Sequence, residues 1–334
     1  MTQPRRTLVS LTDTPYYHCI GRCVRRAFLC GQDFATSEDY EHRKAWMVER
    51  LALLAEVFTL EVCAYAVMSN HYHVVLRIDR AAAEALSEAE VMDRWGRLYG
   101  LPVLVRRYRD GETTGEAEAG QARAMLAVLR ARLGDLSWYM RCLNEYIARR
   151  ANAEDGCTGR FWEGRFKSQA LLDEAALLTC MSYVDLNRVR AGIATTPEAS
   201  DYTSIQARIR RHREPFVIRP TKPAPVRLLP FQELGNPAPE HLPFGFLDYL
   251  ALMDWTGRAV LEHKHGAIPA QVPPILERLG IAPAGYLKTM CRSGIRFGTA
   301  VGRVESLRDA ARQLQRRCLR GIGEARLLFS TPVG

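Results

Sequence analysis

The chain has 334 residues, 47% of them apolar, enough to bury a substantial core as one large domain or two ordinary ones. Its net charge of +9 and pI of about 9.2 come mostly from arginine, whose flat five-donor fork suits phosphate, so a polyanionic partner is expected. No apolar run reaches the ~18 residues of a membrane helix, the opening MTQPRRTLVSLTDTP lacks the apolar core of a secretory leader, and nine cysteines, never spaced Cys-x-x-Cys, argue against a disulfide framework or a thiolate zinc site. These features predict a cytoplasmic, nucleoid-associated protein.

In chain order, residues 16–30 (YYHCIGRCVRRAFLC) read as a strand closed by a turn at Gly31. From Ser37 a capped helix with a helical apolar period runs to about Phe58. Two β-rich runs follow, 60–68 and 71–78, joined by Ser69-Asn70 as in a hairpin. Strand, helix, strand, strand predicts an α+β fold of ferredoxin-like type. Residues 81–155 are helical in pattern, with an exposed loop at 109–116 (RDGETTGE). Residues 159–172 read as extended, and a helix runs from Asp173 to a glycine stop at Gly192. Between 205 and 227 there are seven basic residues and one acidic, and eight of the seventeen prolines fall between Pro215 and Pro243. The expected organisation is therefore a domain over 1–204 with a helical insertion at about 81–155, a basic proline-rich linker over 205–243, and a helical accessory region over 244–334.

Two His-x-His pairs occur. On a strand, His71 and His73 share one face about 7 Å apart at Cα, while Tyr72, Val74 and Leu76 take the other. Such a pair can converge on one divalent ion or form a hydrogen-bonded histidine ladder; spacing alone allows both. His263 and His265 precede Gly266 and read better as cations at a helix C-terminus. Two histidines need a further ligand, and the helix from Asp173 carries Tyr183 and Asn187 one turn apart, an amide oxygen suited to a hard cation and a phenol able to act as a covalent nucleophile. Arg160, Phe161, Trp162, Arg165, Phe166 and Lys167 alternate cations with aromatic surfaces, a pattern that suits single-stranded nucleic acid or an amphipathic strand.

Three segments in order, NHYHVVL (70–76), RFWEGRFKS (160–168) and YVDLNRVRAG (183–192), together with the opening YYHCIGR, resemble the single-tyrosine HUH transposases and most closely the REP-associated tyrosine transposases. The resemblance covers roughly residues 10–200. It implies a ferredoxin-like sheet, metal ligands at His71, His73 and Asn187, Mg²⁺ or Mn²⁺ as cofactor, and Tyr183 as the nucleophile of a DNA transposase. That enzyme nicks and rejoins single-stranded or hairpin DNA through a 5′-phosphotyrosine, working as a monomer or homodimer. Arg160, Arg165, Lys167, Arg188 and Arg190 would then contact DNA. The sequence departs from the family at Arg188, where proline is usual, and in the long span between Asp79 and Gly159. Two other functions use the same residues: a structured-DNA-binding protein without turnover, and a hydrolytic nuclease in which Tyr183 is dispensable.

Overall fold

A computed structural model describes residues 10, 12–24, 29–31, 38–213, 225–233, 238, 240–262, 271–291 and 298–329. The expected cap at Ser37, the His263–His265 pair and residues 214–224 of the expected linker lie outside the described residues. The first half runs β1 (Tyr16–Arg22), α1 (Arg43–Val57), β2 (Leu60–Val67), β3 (His71–Ile78), then α2 (Arg80–Ala85), α3 (Glu88–Gly96), α4 (Val103–Arg109), α5 (Glu116–Leu133) and α6 (Leu136–Glu154). It continues through β4 (Lys167–Leu171), α7 (Glu174–Asp185), α8 (Asn187–Arg190) and α9 (Ser204–Arg213). The remainder holds α10 (Phe246–Glu262), α11 (Pro274–Arg278), α12 (Pro283–Cys291), β5 (Ala300–Val301), α13 (Val304–Gln313) and α14 (Ile322–Leu328).

The fold is a mixed α+β structure around a five-stranded sheet ordered β2-β3-β1-β4-β5, antiparallel except for the β4–β5 pair. The hairpin forms at Ser69-Asn70, closed by the Met68 N–H donating to the His71 carbonyl at 2.9 Å. Gly21 lies opposite Tyr72, and a Cβ there would come within 2.4 Å of the Tyr72 ring. Tyr72 is fully buried, its hydroxyl donates to Asn144 Oδ1 of α6 at 2.6 Å, and it meets Trp162 edge-on. Helices α1 and α6, joined by Arg50 Nε donating to the Cys142 carbonyl, cover this face.

The opposite face receives α7. Every residue from Ala175 to Asp185 is buried, so the helix is apolar nearly all round, as expected of a core helix. Its polar side chains are satisfied internally: Thr179 donates to the Ala175 carbonyl at 2.7 Å and Ser182 to the Leu178 carbonyl at 2.8 Å. Asp173 caps the start, one oxygen accepting from the Ala176 N–H at 2.9 Å. Its other oxygen accepts from the Arg303 N–H and the Ser306 hydroxyl, both at 2.8 Å, which ties α7 to α13.

The single helix expected over 173–192 is interrupted at Leu186 (φ −90°, ψ 7°). It stops where the sequence suggested, at Gly192 (φ +69°). There the Ile193 N–H donates to the Arg188 carbonyl and the Gly192 N–H to the Val189 carbonyl, the paired bonds of a Schellman stop. Residues 204–213, the first part of the stretch read as a linker, form α9, and its Arg208 is buried, donating to the carbonyls of Cys63 and Leu229.

Candidate active site

His71 and His73 lie on the sheet face that meets α7, their ring centroids 5.0 Å apart. Strand register sets out the neighbourhood, because residues directly opposite in a sheet point the same way. Arg22 faces His71; Ile20 faces His73 on one side and Lys167 on the other; His18 faces Gln169. On the β2 side His73 is paired with Ala66.

Tyr183 meets His73 edge-on, centroids 5.8 Å apart. The Arg190 guanidinium lies over the Tyr183 ring at 4.0 Å from its centroid, held by a hydrogen bond from its Nε to the Met290 carbonyl of α12. Thus α7, α8 and β3 bring together His71, His73, Tyr183 and Arg190. Asn187 begins α8 and is 7% exposed, and its Nδ2 has no hydrogen-bond partner among the described residues. A half-turn of that amide puts an oxygen where the unpartnered nitrogen stands.

Each imidazole is held uncharged. Burial pushes His71 down to about 4, with the Arg22 charge adding to the effect. Burial likewise lowers His18 to about 4, against a hydrogen bond to Gln169 that favours its charged form. His73 falls well below the ordinary imidazole range, first through burial and then through His18, His71 and Arg190. Neutral imidazole is the form that ligates metal.

His18 is a member that the sequence reading did not single out. Its Nε2 lies 2.9 Å from His73 Nδ1 and its Nδ1 lies 3.1 Å from Gln169 Oε1, while Gln169 Nε2 donates to the Gly298 carbonyl at 3.0 Å. His71 Nδ1 lies 2.6 Å from Asn70 Oδ1. His73 Nε2 is buried with no partner among the described residues. Among those residues no group of three or more His, Cys, Asp or Glu side chains could hold a metal ion. The imidazoles of His71 and His73 stand together, while Asn187 lies beyond the break at Leu186, and its amide nitrogen bonds to neither ring among the described residues.

The expected nucleic-acid contacts divide. Arg160, Arg165 and Lys167 are exposed. Arg188 is only 7% exposed, with Nε and Nη1 lacking hydrogen-bond partners among the described residues. The interleaved aromatics turn inward: Phe161 is buried, and Trp162 packs on Tyr72 and Phe161 with its indole N–H donating to the Asn144 carbonyl at 2.8 Å.

No protein-family model and no curated protein matches the chain. One solved structure, that of the REP-associated tyrosine transposase bound to a REP hairpin, is similar over 64% of this chain and 87% of its own, at 13% identity and a TM-score of 0.36. A likeness of that size carries no assignment.

Proposed function

We propose that the chain is a metal-dependent enzyme of the single-tyrosine HUH type that nicks and joins single-stranded or hairpin DNA through Tyr183. The observation that carries this reading is Tyr183 packed against His73, whose bare Nε2 has no partner among the described residues. The order β2-β3-β1-β4, with α1 and α6 on the other face, supports a ferredoxin-like β-α-β-β-α-β core. His71, His73 and Asn187 would hold Mg²⁺ or Mn²⁺, which when bound supplies positive charge to polarise and orient a scissile phosphate.

Tyr183 Oη attacks the phosphorus in line. The new P–O bond to tyrosine replaces the P–O3′ bond, the phenolic proton leaves to water, and the departing 3′-oxygen takes a proton from water to become a hydroxyl. Arg190, stacked on the ring, keeps the phenol in place and sets a cation beside the phosphate it receives. Because one phosphoester is exchanged for another, rejoining needs no nucleotide.

The test is incubation of labelled hairpin DNA with Mn²⁺, resolved on a denaturing gel. Wild type should give a covalent adduct; Tyr183→Phe should bind DNA equally yet lose adduct and nick by roughly 10³-fold or more. His71→Ala and His73→Ala should be equally inactive, and His263→Ala should be unaffected. Nicking by Tyr183→Phe without an adduct would establish the hydrolytic nuclease; tight binding by a wild type that never cuts would establish a binding protein without turnover.

A further inference from the structure

We infer that Gln169 and His18 are positioning residues that fix which nitrogen of His73 carries its proton, and so aim a bare Nε2 at the site. The chain of donors starts in the C-terminal region. The Gly298 carbonyl can only accept, so the Gln169 group beside it at 3.0 Å is its NH₂ and the other end of the amide is an oxygen. That oxygen, 3.1 Å from His18 Nδ1, can only accept in turn, so His18 carries its proton on Nδ1. At pH 8, above the ordinary imidazole range, a ring with its one proton on Nδ1 has a lone pair on Nε2, and that of His18 accepts from His73 Nδ1–H at 2.9 Å. His73 is left with its lone pair on Nε2, the atom without a partner among the described residues. Asn70 Oδ1, 2.6 Å from His71 Nδ1, does the same for the neighbouring ring in one step. In water the two imidazole tautomers are close in energy, so the hydrogen bond decides between them.

The inference deepens the metal-site reading and rests on it, but the tautomer can be read without metal. Long-range ¹H–¹⁵N spectra of the metal-free protein at pH 8 should show wild-type His73 as the Nδ1–H form. Gln169→Met removes the acceptor while nearly keeping the volume. It should bring Nε2–H signal to His18 and His73 and weaken Mn²⁺ binding, followed by paramagnetic resonance, by about 10–100-fold. A purely structural role for Gln169 would leave the nitrogen shifts unmoved in any variant that folds. An Nε2–H form of His73 in the wild type overturns the inference whether or not the variant folds, and so does a folded Gln169→Met with unchanged tautomer and Mn²⁺ affinity. A wild-type Nδ1–H form without Mn²⁺ binding leaves the relay in place and sinks the metal site instead.

Discussion

At the scale of single residues, three neutral histidines inside one wall make stability depend on pH. His18 and His71 titrate near 4 in the folded chain against about 6.5 when unfolded, and His73 is also depressed. Between those values the unfolded chain takes up protons that the folded chain refuses. The stability they contribute is therefore complete above about pH 6.5 and is lost as pH falls toward 4, at roughly 1.4 kcal/mol per pH unit for each group within the window. Asp185 acts in the opposite sense: burial raises its carboxyl above the ordinary value of 3.8, so its contribution declines as pH rises past that value. Three groups outweigh one, and urea midpoints measured in chelator should fall between pH 7.5 and 5.0, with His18→Gln flattening the slope. A midpoint constant over that range would contradict the burial of these rings. The His71–His73 pair was legible in the sequence because a strand's period of two is local. His18 and Gln169 were not, since their approach depends on β1 pairing with both β3 and β4 in one register.

Among the elements, α7 is the one whose environment the sequence half disclosed. Its acidic start could be read locally, and so could the glycine stop that follows α8, but not the break at Leu186 between Tyr183 and Asn187 or the carboxylate at the end of α7. Asp185 is fully buried, accepting from the Ile205 N–H at 3.0 Å, the Ser204 hydroxyl, and the Tyr249 hydroxyl at 2.6 Å. The first two donors begin α9 and the third belongs to α10, so one side chain joins three helices two residues from the proposed nucleophile. Read as sequence, Asp185 is one polar residue in a helical run, and the basic stretch after 204 looks like a linker; only the tertiary pairing makes both parts of the core. Asp185→Ala would strand the Ile205 N–H and the Tyr249 hydroxyl, while Ser204 keeps the Tyr65 carbonyl as an acceptor at 3.3 Å, and at about 1–3 kcal/mol for each buried group left unpaired the variant should lose at least ~2 kcal/mol in urea unfolding. Tyr249→Phe, which removes one donor, should cost about 1 kcal/mol. Equal losses from the two variants would show that the junction is not organised around Asp185.

For the molecule as a whole, residues beyond 240 are built into the same body as the site. β5 extends the sheet beside β4, Met290 anchors Arg190, Gly298 anchors Gln169, and Asp173 receives the start of α13. Deleting residues 205–334 would therefore break the site's supports together with any DNA contacts, and surface charge has to be tested by substitution. Arg160, Arg165 and Lys167 are exposed; Lys167 begins β4 and shares a cross-strand row with His73 through Ile20, while Arg160 follows Gly159, whose carbonyl accepts from Asn152 of α6. If single-stranded DNA is drawn along this edge toward Tyr183, each phosphate neutralised there contributes about 0.7 to the slope of log K against log salt concentration. The triple substitution R160Q/R165Q/K167Q should leave the urea midpoint unchanged, since these side chains face solvent, while binding to a labelled hairpin weakens most at low salt and the slope flattens by about 2. If these cations serve to deliver DNA to Tyr183, adduct yield should fall with binding and recover when DNA is raised to saturation. An unchanged slope would put the DNA on another face and leave Tyr183 without a route to its phosphate.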